Sequence, residues 1–175
     1  MNYPKVSNIK QETKTGFPSL DELCKNIAIV LNNEELHPRI KQQVLDGALW
    51  WAADYAVKGF NCPFRSEAAE NKCKQLQRDG KPITKQGLIH DHIIPKKLLR
   101  EALGALDKPV HPDAVLFYLK LSVYCLITEK DNEELNKKHL RQAMQEGNDN
   151  WKSPMAMAND IWGRYKTTNI NVVVR

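Results

Sequence analysis

The chain has 175 residues, 42% hydrophobic and 27% charged, the make-up of a globular protein with a real core in one domain or one domain with an appendage. No apolar run approaches the roughly 20 residues of a transmembrane helix, and Met1-Asn2-Tyr3-Pro4-Lys5 has no apolar signal region, so neither a membrane span nor secretion is expected and a cytoplasmic location is. The net charge of +5 allows a polyanionic partner, and is equally met by a basic protein with a solvated surface.

Residues 1–16 are polar and lysine-rich and read as an arm with little structure of its own. Ser19 before Leu20-Asp21-Glu22 is a capped helix start, and Leu20, Leu23, Ile27, Val30 and Leu31 give that helix, over 19–32, one apolar face. A second helix follows Pro38 to about Lys58, with Ile40, Val44, Leu45, Ala48, Leu49, Ala52 and Tyr55 at helical spacing and Gly59 as the stop. Trp50 and Trp51 are adjacent and cannot both face one core; packing at a core edge is favoured over stacking on DNA. Residues 65–78 read as a charged, weakly amphipathic helix, ended by the turn chemistry of Arg78-Asp79-Gly80-Lys81-Pro82.

Ile83 to Ile94 is β-prone, with Gly87 marking a bend or a hairpin turn. Lys96 to Leu106 reads as a helix, and Pro112 opens another that continues from Ala114 to Leu121. Val123 to Thr128 is a short β-prone run, and Asp131 to Met144 is the last clear helix, with Leu135, Leu140 and Met144 facing inward. Residues 147–160 are loop-like, and Asn169 to Val174 suits an edge strand or a tail that needs a partner. The expected fold is α+β and mostly helical, with a small antiparallel hairpin and a helix at the active site.

The four cysteines, Cys24, Cys62, Cys73 and Cys125, include no C-x-x-C pair, which argues against a zinc knuckle and for free thiols. The chemistry concentrates in Leu88-Ile89-His90-Asp91-His92-Ile93-Ile94-Pro95. Polar groups flanked by apolar residues need partners or a job. If the strands on either side of the long insertion pair antiparallel, the helix after Thr128 brings Asn132 toward Asp91 and His92. Carboxylate and amide oxygens are hard ligands suited to Mg²⁺ or Mn²⁺, and a neutral imidazole beside them can take a proton from water.

Asp91-His92-Ile93-Ile94-Pro95, followed by Leu126-Ile127-Thr128 and then Asn132 entering a helix, resembles the HNH, or ββα-metal, nuclease motif over about residues 83–146. The resemblance implies a nuclease core there, between a helical region at 17–82 and a C-terminal extension at 147–175. It implies His92 as the general base, and Asp91 with Asn132 as ligands of one divalent metal, Mg²⁺ or alternatively Mn²⁺ or Ni²⁺. His90 has no fixed role in the pattern. Lys96, Lys97 and Arg100 are candidate phosphate contacts, Lys137, Lys138 and Arg141 suit a phosphate path or equally a solvated helix face, and Arg164 and Tyr165 suit either nucleic acid or C-terminal packing.

The expected activity is hydrolysis of DNA phosphodiester bonds, with double-stranded DNA as partner. The chain departs from the family pattern in two ways. No asparagine stands near Val123 to Cys125, where the middle one belongs, and the loop between the strands is long. Asn136 and His139 are therefore substitutes for Asn132. A non-catalytic nucleic-acid-binding or interaction module on the same fold, and an RNA-cleaving toxin, are the alternatives.

Overall fold

The computed structural model describes residues 16, 18–55, 62–83, 86–141, 143–144 and 158–175. Helix α1, Leu20–Asn32, begins at the expected capping box. The Ser19 hydroxyl accepts from the Glu22 amide at 3.1 Å, and the Glu22 carboxylate accepts from the Ser19 amide at 2.7 Å. Its buried stripe is Leu23, Cys24, Ile27, Ala28 and Leu31. Helix α2, Pro38–Tyr55, buries Leu45, Ala48, Leu49, Ala52 and Ala53. Ile40 and Val44, expected on that stripe, stand exposed instead. The expected end of this helix near Lys58 and the Gly59 stop lie outside the described residues.

The next segment differs from its sequence reading. Phe64–Ser66 is a short strand, β1, and the helix after it, α3, covers Glu67–Arg78 with the Ser66 hydroxyl as its N-cap. Strand β2, Leu88–His92, starts after Gly87, whose φ of +68° supplies the bend. Helices α4, Lys96–Gly104, and α5, Pro112–Leu121, fill the long insertion, and strand β3, Tyr124–Thr128, follows.

Helix α6, Glu129–Lys137, is shorter than the expected run to Met144. It ends because His139 takes a left-handed φ of 56°, and Leu140 and Met144 reach the core from beyond the helix. Helix α7, Gly163–Thr167, precedes β4, Val172–Val174, which is the expected edge strand.

The hairpin is part of a mixed sheet of order β2-β3-β1-β4. Strands β2 and β3 are antiparallel, β1 and β3 parallel, and β1 and β4 antiparallel. Alternation gives the sheet two covered faces. Phe64, Cys125 and Ile127 face the main core with Ile27, Leu49, Leu99, Leu103, Val115 and Leu119 of the helices. Leu88, Tyr124 and Leu126 face a smaller cluster with Ala69, Cys73 and Leu76 of α3 and Ala53 of α2. All four cysteines are buried free thiols. Among the described residues no helix is long and apolar enough to cross a membrane.

Candidate functional site

The register of the hairpin sets the site. His90 pairs with Leu126, Asp91 with Cys125 and His92 with Tyr124. Successive side chains of a strand point to opposite faces, so His90 and His92 share one face and Asp91 lies on the other. The three side chains that the sequence placed side by side therefore sit in two environments.

On the histidine face, the rings of His90, His92 and Tyr124 are in contact. Tyr124 stacks on His90 with centroids 5.4 Å apart, and its ring meets His92 nearly edge-on at 4.5 Å. Trp50, carried by α2, approaches both His92 and Tyr124 at 5.5 Å. Helix α2 is fixed there by Ser122, whose buried hydroxyl donates to the Leu49 carbonyl at 2.7 Å. Lys96, in the first turn of α4, sets its ammonium 5.3 Å from the centre of the Trp50 ring. The structure thus adds Trp50 and Tyr124 to the sequence-derived set. Neither was legible as a partner of His92, because strand register and helix docking decide both.

Burial pushes the His92 imidazole down to about 4. The charge of Lys96 and the neighbouring His90 act in the same direction, and hydrogen bonding to the Leu49 backbone opposes them. Nε2 of His92 is buried without a hydrogen-bond partner among the described residues, as is the Tyr124 hydroxyl. Burial also drives the Tyr124 phenol upward. His92 is thus neutral at ordinary pH, with one ring nitrogen uncommitted.

Asp91 has a different role in the packing. Its Oδ2 accepts from the Tyr165 hydroxyl at 2.5 Å and from the Arg164 guanidinium. Arg164 is fully buried, and it also donates to the carbonyls of His92 at 3.0 Å and Leu140 at 2.9 Å. A guanidinium stays charged in a protein, so Asp91 supplies its counter-ion. Oδ1 of Asp91 accepts no hydrogen bond among the described residues, and the side chain keeps 16% exposure. Arg164 and Tyr165, which the sequence left between nucleic acid and packing, are both buried.

Asn132 is half-buried on α6, and its side chain makes no hydrogen bond among the described residues. Thr128, where α6 begins, lies opposite Leu88. That is three residues, or about 10 Å, along β2 from Asp91. Asn136 and His139 are exposed. Among the basic candidates, Lys96 adjoins the His92 cluster. Arg100 donates to both carboxylate oxygens of Asp46 at 3.0 Å, and Lys97 lies 3.9 Å from Glu101. Lys137 pairs with Glu134 at 2.7 Å, and Lys138 donates to the Thr167 carbonyl at 2.6 Å. Arg141 lies in the turn after α6, where its carbonyl accepts from Arg164 at 3.4 Å.

Among the described residues no group of three His, Cys, Asp or Glu side chains is placed to hold a metal ion. A hard divalent cation needs fewer protein donors, because Mg²⁺ keeps several waters and uses one or two carboxylates. Asp91 Oδ1 and the Asn132 side chain are free of hydrogen bonds among the described residues, but no contact joins them, and Asp91 lies on the face of β2 opposite His92. Comparison with protein-family models, with curated proteins and with solved structures finds no match to this chain.

Proposed function

We propose that the protein is a metal-dependent endonuclease of the HNH type that hydrolyses DNA phosphodiester bonds. One observation carries the reading: His92, neutral and with an uncommitted Nε2, sits on the first strand of an antiparallel pair whose second strand leads straight into a helix. That β2–β3–α6 order is the ββα order of the family, with α4 and α5 inserted between the strands.

In this reading His92 Nε2 takes the proton of the attacking water. Asp91 Oδ1 and Asn132 would hold a divalent cation, which would supply charge stabilisation for the phosphate and its leaving oxygen. Lys96 orients the phosphate beside His92. Plasmid DNA incubated with Mg²⁺, Mn²⁺ or Ni²⁺ is cut by wild type, and His92→Ala loses about a hundredfold or more of that rate. Equal rates for the two proteins sink the assignment.

A second reading has its own support. The Arg164 guanidinium on Asp91 competes with any cation for the carboxylate. It favours a non-catalytic nucleic-acid-binding module, which binds DNA in a salt-dependent way and cleaves with no divalent metal.

A further inference from the structure

Trp50 is 46% exposed, a large apolar ring left in water. It is not a stray surface residue, because it contacts His92 and Tyr124 and has the Lys96 ammonium over it. Arg100 engages Asp46 at 3.0 Å, while Lys96 lies 3.9 Å from the same carboxylate, and Asp54 adds a second carboxylate near Tyr124. An exposed aromatic ring beside a lysine that makes no close ion pair is a pairing that takes a nucleobase and its phosphate. Bases inside an intact duplex have both faces covered by their neighbours, so only an unstacked nucleotide offers a face to the indole.

We infer that Trp50 and Lys96 form a recognition platform for an unpaired nucleotide, so that the preferred substrate is a single strand, or a duplex with an unstacked base at the cleaved position, rather than intact duplex. The inference rests on the nuclease reading for the identity of the ligand. It narrows the substrate class of that site.

Binding measured in EDTA separates recognition from cleavage. A short labelled strand, the same strand in a perfect duplex, the duplex with one bulged nucleotide, and an RNA strand of the same sequence are titrated by fluorescence polarisation. The single strands and the bulged duplex bind more tightly than the perfect duplex. Trp50→Ala loses about tenfold or more on the unpaired ligands, while Trp50→Phe, which keeps a stacking face, loses less. Trp51→Ala, whose side chain is turned about 100° around α2, stays within about twofold of wild type. Lys96→Gln reduces the slope of log affinity against log salt by about one.

A Trp50→Ala protein with a wild-type circular dichroism spectrum and wild-type affinity overturns the inference. Equal losses in Trp50→Ala and Trp51→Ala, or tighter binding to the perfect duplex, do the same. If Trp50→Ala loses affinity while no metal supports cleavage, the platform stands and the nuclease reading falls. If cleavage needs His92 but Trp50→Ala binds normally, the outcome is reversed.

Discussion

His92 shows how a strand position sets chemistry. A free imidazole titrates near 6.5, and burial with Lys96 and His90 alongside brings this one to about 4. Between those values the unfolded chain holds the extra proton, so stability falls as pH drops from 6.5 to 4, by up to about 3 kcal/mol. Melting temperatures followed across that window decline in wild type and flatten in His92→Gln. If His92 is the base of the proposed nuclease, kcat/KM stays level down to pH 5 and falls only near 4, where an exposed histidine would already lose rate near 6.5. A bend near 6.5 refutes the assignment of His92 as base. The motif around His92 was legible in the sequence. Its depressed basicity was not, since Trp50 and Tyr124 reach it through tertiary docking and strand register.

The elements are joined by small polar networks, of which Asp131 is the clearest. Its Oδ2 accepts from the Ser66 hydroxyl at 2.7 Å, and from the Thr128 amide and hydroxyl at 2.9 Å each. One carboxylate thereby caps α6 and ties it to Ser66, the cap of α3. Asp131→Ala removes a charged acceptor from part-buried donors and costs about 2–3 kcal/mol by urea unfolding. A loss no larger than that of Glu133→Ala, its exposed neighbour on α6, refutes the network. Local signals of this kind were readable, as the Ser19 and Glu22 box shows. Strand β1 was not, because three residues that include the buried Arg65 carry no β pattern, and only β3 and β4 make them a strand. The length of α6 also escaped, since the left-handed turn at His139 breaks an apolar spacing that continues to Leu140 and Met144.

Across the whole molecule, the Asp91–Arg164 pair fastens the C-terminal segment to the candidate site. Asp91→Ala leaves a buried guanidinium without its counter-ion and costs about 3–5 kcal/mol. The double variant Asp91→Ala/Arg164→Met removes both charges and recovers much of that loss. Thermal melts of the three proteins decide it: additive losses mean that the pair does not couple. Loss of cleavage in Asp91→Ala is therefore to be read only beside its melting temperature. Sequence could name Asp91 but not its partner, for nothing local links residues so far apart.

Strand β1 also has a meaning in time. Phe64 pairs on one side with Cys125 and on the other with Val174. As the chain leaves the ribosome, α1 and α2 can pack on each other early, but Phe64–Ser66 waits for both neighbours. Such distant pairings fold slowly. Until Val172–Val174 arrive, the centre of the finished sheet is an open edge, able to take a strand from another nascent chain. The interval before that last strand docks is when the protein is most exposed to aggregation and to chaperones.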